Sequence, residues 1–249
     1  TYNYTGYPMV RELREMIRNG RLGRIEQIHV EMPQEGFARL DRSGNPMVPQ
    51  QWRLMDGVVP TISLDLGVHA HHLVDFLTGE KAEEVVATQS SLGRFRQVVD
   101  NTMALVSYSN DMEGHFWFSK AALGHRNGLR VRVYGEEGAA EWFQMDPELI
   151  QFWDNRGQQH GIDRASTDVI IAQLGRYNRF KSGHPAGFLE AFANLYADIA
   201  HHMGRDIGSD ATSAEYVFTA SQAREGLVLL EAIDQSARER RWININSES

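Results

Sequence analysis

The amino-acid sequence predicts an α+β fold: one large, open and mainly antiparallel sheet with helices packed on one face. The strand-like segments lie in the middle of the chain and follow one another through short turns, which is typical of antiparallel pairing. The helix-like segments lie toward the two ends instead. The 249 residues, 42% of them hydrophobic, are enough to enclose a sizeable core.

The first part of the chain is predicted to contain a helix, a strand and a long loop. Residues 8–22 have a helical pattern in which Pro8 suits the first position and Gly20 suits the end. Apolar and polar residues alternate over 25–32, which predicts a strand. Residues 36–61 hold three prolines and a cluster of turn-forming residues, which predict a loop.

A second helix is expected over 65–78, where Gly79 suits its end. The strands of the central sheet are then predicted at 84–91, 102–109, 115–118, 129–134, 140–143 and 149–153. Residues 155–183 are polar and predict irregular structure. A helix over 185–203 follows and is expected to bury the face that carries Phe188, Phe192, Leu195 and Ile199. The chain is then predicted to continue with a long helix over 213–240 and a strand over 242–245.

The bulk composition excludes several classes of function. The net charge of −8 argues against a nucleic-acid or anionic-membrane partner, because either would need a basic face. No apolar run approaches the roughly 20 residues of a membrane span. The chain has no cysteine, which excludes disulfides, thiolate catalysis and zinc–thiolate sites. The start, Thr1-Tyr2-Asn3-Tyr4, has neither an initiator Met nor a signal-peptide pattern, so this end of the chain does not indicate a compartment. We expect a cytoplasmic protein.

Titratable residues are most concentrated in the segment 65–73. If this segment is helical, Asp65, His69 and His72 lie on one face, because residues three and four apart are neighbours. Asp65 could then orient the imidazole of His69 through one ring nitrogen, leaving the other to exchange a proton with a substrate. The alternative is structural: an aspartate that caps the helix, with histidines in the core or on the surface.

A metal site is a further interpretation of the same three residues. Asp65, His69 and His72 could bind Zn²⁺ or Mn²⁺ through one oxygen and two nitrogens, but the sequence shows no fourth ligand. We therefore expect no metal.

Two other candidate binding groups lie outside this segment. Trp52-Arg53 lies in the long loop, where the guanidinium offers forked donors for hydroxyl or carboxylate groups, although a solvent-exposed Arg beside an anchoring Trp is equally consistent. His184, just before Pro185 at a helix start, could face the same pocket or belong only to the start of that helix. The chain contains no Gly-x-Gly-x-x-Gly or Walker-type loop, so taken alone it has no dinucleotide-binding half.

Four stretches, at 1–9, 65–73, 127–135 and 184–196, resemble the Gfo/Idh/MocA family of NAD(P)-dependent oxidoreductases, and most closely its levoglucosan-dehydrogenase-like sugar dehydrogenases. The resemblance is to the part that follows the Rossmann domain, most of which would be missing. It implies that residues 1–22 are the last strand and helix of that domain, and that residues 23–249 form a substrate-binding and oligomerisation domain.

The resemblance also implies roles for individual residues. The Asp-x-Gly-x-His motif of the family maps onto Asp65 and His69 as catalytic groups, and its catalytic Lys would lie before Thr1. Arg53 would bind substrate hydroxyls or lie beside the nicotinamide. The other substrate-binding residues implied are Trp52, His72, Tyr4 and His184. Where relatives carry a Gly- or Ser-Gly-rich turn before the motif, this chain has 56–61, Asp-Gly-Val-Val-Pro-Thr.

The implied function is hydride transfer between a sugar or polyol hydroxyl carbon and NAD or NADP in a full-length protein. This chain alone is expected to be inactive and to bind no cofactor, and to form a homodimer or homotetramer through the open sheet. A non-catalytic carbohydrate-binding or assembly module with the same fold is the alternative. A metal-dependent hydrolase or isomerase built on Asp65, His69 and His72 is a third candidate.

Overall fold

The computed structural model describes residues 2–204 and 214–245. Within them the strands are β1 (Ile25–Pro33), β2 (Ala82–Ser90), β3 (Asn101–Tyr108), β4 (Glu113–Ser119), β5 (Arg130–Gly135), β6 (Gly138–Phe143), β7 (Asp146–Asp154), β8 (Gln159–Ile162) and β9 (Ile243–Asn244). The helices are α1 (Pro8–Arg18), α2 (Val68–Thr78), α3 (Phe188–His202) and α4 (Ala220–Glu239). Short 3₁₀ turns occur at Asn3–Gly6, Gln51–Leu54, Ser109–Asp111 and Ala214–Tyr216.

All nine described strands form one sheet, in the order β8-β7-β6-β5-β1-β4-β3-β2-β9. Neighbouring strands are antiparallel except β1 and β4, which are parallel. Residues on alternate positions point to opposite faces, so one face of β1 carries Ile28, Val30 and Met32, all fully buried. The predicted α+β fold with one open, mainly antiparallel sheet is confirmed.

The core lies between this face of the sheet and the helices α1, α2 and α4. Helix α2 packs over β1, α4 over β2, and α1 over β6 and β7. Leu13 of α1, Leu73 of α2 and Leu230 of α4 are at most 1% exposed in this layer. The opposite face carries half-exposed apolar side chains, among them Met103 (47%) and Leu105 (48%) on β3.

The N-terminal residues belong to the same packed body. The predicted helix is α1, and it ends at Arg18 with Gly20 in the left-handed region at φ +71°. Residues Asn3–Gly6 form a 3₁₀ turn, where the expected last strand of a Rossmann domain would lie. The division of the chain at residue 22 stays a prediction.

Other elements differ from the sequence prediction in their bounds. β8 forms inside the stretch 155–183 that was expected to be irregular, through pairing with β7. α4 begins at Ala220, capped by the Thr219 side chain, whereas the predicted start at 213 lies outside the described residues. The closing strand shortens to β9, two residues that pair with β2.

The predicted buried face of α3 is confirmed only at Leu195. The other buried residues are Ala191, Asn194 and Asp198, while Phe188 is 50% exposed and Phe192 and Ile199 are partly exposed. The reason is that α3 packs on the Asn3–Gly6 turn rather than on the sheet, with Asn194 Nδ2 donating to the Gly6 carbonyl at 2.8 Å. A polar contact therefore decides which face lies inside.

Candidate active site

The parallel pairing of β1 with β4 places the ends of both strands at one edge of the sheet. Pro33 lies opposite Ser119, so Gln34 and Lys120 leave the sheet side by side. The Gln34 amide donates to the Ser119 carbonyl at 2.7 Å, and Lys120 Nζ donates to Gln34 Oε1 at 3.1 Å. This edge is where the site forms.

The start of the second helical stretch lies beside this edge. Residues 61–78 are helical, but Ser63–Gly67 form a π-turn before α2 begins. Gly67 allows close approach there: a Cβ atom at this position would lie 2.7 Å from Leu230 and 3.1 Å from Phe118. The turn that carries Asp65 is thus packed against both α4 and the sheet. Asp65 lies inside the turn, so it is not the helix cap considered from sequence.

Asp65 is bound by two cations. Arg53 donates to both carboxylate oxygens, from Nε to Oδ2 at 3.0 Å and from Nη2 to Oδ1 at 3.2 Å. Lys120 Nζ lies 2.7 Å from Oδ2. Burial alone would raise the pKa of Asp65, but the hydrogen bonds from Arg53 and Lys120 outweigh it and hold the pKa below its usual value. Asp65 is therefore ionised at neutral pH.

Lys120 is the main residue of the site that the sequence did not reveal. Its side chain is only 7% exposed, and burial lowers its pKa while Asp65 opposes that effect. The sequence gives only a weak indication that Lys120 belongs to a site: it is a single lysine that follows the predicted strand 115–118 after one intervening residue, Ser119. Its contact with Asp65 depends on the parallel pairing of two strands that lie far apart in the chain.

His69 lies near Asp65 but forms no hydrogen bond with it among the described residues. Its Nδ1 atom is buried and has no hydrogen-bond partner there. The ring lies edge-on to Tyr4 at 5.0 Å and to Tyr2 at 5.7 Å between centroids. Burial lowers the pKa of His69 to about 4, although Asp65 acts to raise it, so the imidazole is neutral at pH 7.

The predicted orientation of His69 through a hydrogen bond to Asp65 is therefore wrong. The π-turn is the physical reason: it has more residues per turn than an α-helix, so side chains four apart no longer stack as the 3.6-residue period predicts. The carboxylate instead faces Arg53 and Lys120.

A line of amides joins Lys120 to the ring beside His69. Gln34 accepts from Lys120 and donates from Nε2 to Asn127 Oδ1 at 2.8 Å. Asn127 Nδ2 in turn donates to the Tyr4 hydroxyl at 3.3 Å. Burial raises the pKa of Tyr4, so this hydroxyl is protonated at neutral pH. The predicted site residue Tyr4 is thus connected to Asp65 through three side chains.

His72 faces an aromatic cluster rather than Asp65. It is 3% exposed, and its ring centroid lies 4.0 Å from that of Phe218 and 4.8 Å from that of Tyr2. Burial lowers the pKa of His72 well below its ordinary value. Its predicted role in lining a substrate site stays a prediction.

The loop residues Trp52 and Arg53 lie together in the 3₁₀ turn Gln51–Leu54. The Arg53 guanidinium lies 4.4 Å from the Trp52 ring, which is 51% exposed, and also donates to Gln50. The structure therefore brings Arg53 to the site and places Trp52 at its outer side.

The unusual segment after this turn fastens the loop to the body of the protein. Asp56 accepts from the Thr61 amide at 2.8 Å and from the Val99 amide at 2.8 Å. The carboxylate of Asp56 thus fastens the loop in this chain. At this position a glycine-rich turn was expected in relatives.

His184 lies elsewhere. Its carbonyl accepts from Arg164 Nη2 at 2.9 Å, and its ring Nδ1 lies 3.1 Å from the Lys181 carbonyl. No contact within residues 2–204 and 214–245 joins it to Asp65 or His69. His184 lies in a turn before Gly187, which caps α3, so the expected helix start at His184-Pro185 is wrong, and its predicted role in binding substrate stays a prediction.

Within residues 2–204 and 214–245, no three His, Asp or Glu side chains come together in a way that could hold a metal ion. None of the helices in this part of the chain has the length and apolar character of a membrane span. A metal site on Asp65, His69 and His72 has no support in this geometry, because the three side chains face different neighbours.

The site therefore combines an ionised carboxylate held by two cations with a neutral, partly buried imidazole whose Nδ1 has no partner among the residues that the structure describes. Such a set can bind a hydroxyl-bearing ligand and accept a proton from it, which defines an enzyme-type site at the edge of an α+β domain. The chain belongs to the GFO/IDH/MocA family, whose C-terminal domain model matches residues 10–141. The resemblance found from sequence motifs is thereby confirmed.

Relatives with known sequences or structures agree with this family. The uncharacterized oxidoreductase YfiI of Bacillus subtilis (strain 168) is 26% identical over 212 residues, which cover 80% of this chain and 51% of YfiI. The crystal structure of an oxidoreductase from Sinorhizobium meliloti is 32% identical with a TM-score of 0.79, covering 98% of this chain and 63% of that one. The chain therefore spans only part of the length of these relatives.

Two more distant structures share the fold. An inositol dehydrogenase homolog from Azotobacter vinelandii, complexed with NADH and myo-inositol, is 24% identical with a TM-score of 0.83, covering 98% of this chain and 63% of that one. A levoglucosan dehydrogenase complexed with NADH and levoglucosan is 20% identical with a TM-score of 0.72, covering 100% of this chain and 66% of that one.

Proposed function

We propose that this chain is the substrate-binding and oligomerisation domain of an NAD(P)-dependent dehydrogenase that acts on a sugar or polyol. One observation carries the proposal: the ionised Asp65, bound by Arg53 and Lys120, lies near the neutral His69 at the edge of the sheet. The ligands of the two more distant structures, myo-inositol and levoglucosan, support a polyhydroxylated substrate.

The 249 residues offer no glycine-rich loop to hold the pyrophosphate of a dinucleotide. Arg53 is the residue here that could lie beside a nicotinamide. The cofactor would be held mainly by the part of the longer protein that this chain does not include. When bound, it supplies the hydride acceptor for the oxidised carbon.

The residues of this chain would handle the proton. The imidazole of His69 can accept the hydroxyl proton of the substrate through a ring nitrogen, because it is neutral at pH 7. The negative charge of Asp65 stabilises the imidazolium that forms. Arg53 can donate to a neighbouring substrate oxygen, since its guanidinium has more donors than Asp65 can accept. Tyr2, Tyr4 and the packed π-turn limit the access of water to His69.

Replacement of the base tests the proposal. In the complete protein we expect His69→Ala to lower kcat for polyol oxidation by roughly 10²-fold or more. The matched control is His160→Ala, which removes an exposed histidine on β8 and should leave kcat within about twofold. Near-normal turnover in His69→Ala, with both variants folded by circular dichroism, would contradict the proposed base.

A non-catalytic carbohydrate-binding or assembly module is the second candidate, and the lack of a glycine-rich loop in these residues favours it. A binding measurement combined with an assay of cofactor reduction distinguishes this module from the dehydrogenase. A complete protein that binds myo-inositol by calorimetry but reduces neither NAD nor NADP would establish the binding module.

Assembly through the open face of the sheet belongs to the proposal. Met103 and Leu105 leave apolar surface there, beside Trp117 and His115 on β4. We expect a homodimer or homotetramer by light scattering, and Leu105→Lys should shift it toward the monomer. A wild-type monomer would contradict this part. The proposal also includes a cytoplasmic location, which cell fractionation would check.

A further inference from the structure

We propose that Lys120 sets the direction of the hydrogen bonds that run through Gln34 and Asn127, so that the Tyr4 hydroxyl presents its proton to the substrate. Lys120 is then a positioning residue, and Tyr4 is the donor that it positions. The role deepens the proposed function and rests on it for its catalytic meaning, whereas its structural content can be tested without turnover.

The first step is the chemistry of the lysine. An ammonium group only donates hydrogen bonds, so the side-chain oxygen of Gln34, and not its nitrogen, must face Lys120. The ammonium is buried and lies against Asp65, which fixes its position. Gln34 therefore has one orientation as long as the lysine is present.

The second step is the transfer of this orientation along the line. With its oxygen toward Lys120, Gln34 turns its NH₂ group toward Asn127, whose oxygen accepts at 2.8 Å. Asn127 must then turn its own NH₂ group the other way, and it donates to the Tyr4 hydroxyl at 3.3 Å and to Gln144 Oε1 at 2.5 Å. Each amide is held at both ends.

The third step concerns Tyr4. Its oxygen accepts from Asn127, and no acceptor for its own proton occurs among the described residues. The Tyr4 ring lies edge-on to His69 with the centroids 5.0 Å apart, so Tyr4 belongs to the surroundings of the imidazole and its proton is free for a ligand. A hydroxyl or carbonyl oxygen of a sugar or polyol is the acceptor that fits.

The consequence of removing the lysine follows from the same chemistry. Without the ammonium, Gln34 and Asn127 can reverse their amides, and Tyr4 then donates its proton to Asn127 Oδ1 instead of to the substrate. Substrate binding would lose one hydrogen bond to a hydroxyl, which corresponds to a roughly tenfold change in affinity.

The test compares Lys120→Met with Lys81→Met. Lys81 also pairs with an aspartate, Asp75, but lies outside this line and serves as the matched control. In the 249-residue chain, the side-chain amide resonances of Gln34 and Asn127 should shift in Lys120→Met and stay unchanged in Lys81→Met. Unchanged amide resonances in a folded Lys120→Met protein would overturn the inference.

A second variant keeps the ion pair with Asp65 and reverses the line directly. In Gln34→Glu the new carboxylate can only accept, so Asn127 must turn its NH₂ group toward it and its oxygen toward Tyr4. We expect the Asn127 resonances to shift here as well, which covers the case in which Lys120→Met does not fold. Asn127 resonances at their wild-type positions would contradict the inference.

A binding cycle with myo-inositol as the probe completes the test. Lys120→Met and Tyr4→Phe should each weaken binding by roughly tenfold, and the double variant should be no weaker than either, because both remove the same hydrogen bond. Additive losses would overturn the inference. A wild-type protein with the expected amide pattern that neither binds nor oxidises a polyol would contradict the proposed function alone.

Discussion

The helical stretch 61–78 carries an aspartate–lysine pair near each end, and the two pairs differ in their surroundings. At the start, Asp65 pairs with Lys120, whose side chain is 7% exposed; near the end, Asp75 pairs with Lys81, which is 55% exposed. Burial lowers the pKa of Lys120, while the hydrogen bond to Glu225 is the largest effect that raises the pKa of Lys81. The lysine near the end is thus half-exposed and shared between two acids, whereas the lysine at the start is buried against a carboxylate that Arg53 also binds.

This difference shows which charges can serve a reaction. A half-exposed ammonium such as that of Lys81 is screened by water and contributes little that a ligand could use, whereas the buried ammonium of Lys120 keeps a strong local field. The comparison therefore assigns chemistry to the Asp65 end and a structural role to the Asp75 end.

The largest expected effect is on turnover, and it tests directly whether the two aspartates differ in function. Asp65→Asn should lower kcat for polyol oxidation in the complete protein by about 10²- to 10³-fold, because it removes the charge that stabilises a protonated His69. Asp75→Asn should leave kcat within about twofold. Equal losses in steady-state assays of the two variants would end the assignment.

The next effect concerns the pH dependence of stability. The pKa of His69 falls from its ordinary 6.5 to about 4 on folding, so the unfolded chain binds the proton first as the pH is lowered. Its contribution to stability is therefore complete above pH 6.5 and is lost between pH 6.5 and 4, by about 3 kcal/mol at most.

Urea unfolding of the wild type and of His69→Gln, at pH 7 and pH 4.5, measures this loss. The free energy of unfolding should fall less in the variant. Asp65 does not contribute to the change between pH 7 and pH 4.5. Folding lowers the pKa of Asp65, so the stability that Asp65 provides is lost only as the pH falls below the ordinary aspartate pKa of 3.8. An identical pH slope in both proteins would show that His69 is not buried as described.

The smallest expected effect is a difference in the free energy of unfolding between variants of the two lysines. Lys120→Met should lower the free energy of unfolding by about 2 kcal/mol, since it leaves the partly buried Asp65 with Arg53 alone. Lys81→Met should lower it less, by about 1 kcal/mol, because the Lys81 ammonium is 55% exposed and the buried Asp75 keeps its hydrogen bond from Gln222. Urea unfolding at pH 7 measures both, and the reverse order would contradict the burial argument.

The sequence predicted most of the sheet because alternation of apolar residues is a local signal. The strands 25–32 and 129–134 agree with β1 and β5 to within one residue at each end. The parallel pairing of β1 with β4 was not predicted, since strand partners depend on contacts between residues far apart in the chain. The buried face of α3 was missed for the same reason.

The candidate site was predicted only in part. The motif led to Asp65 and His69, and the Trp-Arg pair led to Arg53, because these residues lie in recognisable local patterns. Lys120 and Gln34 gave no such signal, since each is a polar residue just past a strand. Lys120 and Gln34 come into contact because β1 and β4 pair in parallel, and residue spacing along the chain does not reveal which strands pair.

The attachment of the loop by Asp56 has a consequence for protein engineering. Asp56 ties the end of the loop to Thr61 and Val99, beyond Arg53, whereas the outer tip at 41–48 is exposed throughout. The tip is closed by its own bonds, from the Ser43 and Asn45 amides to Asp41. Exposed, self-contained tips are where chains tolerate added sequence. An affinity tag inserted there would leave the attachment at Asp56 and the charged cluster around Asp65 intact.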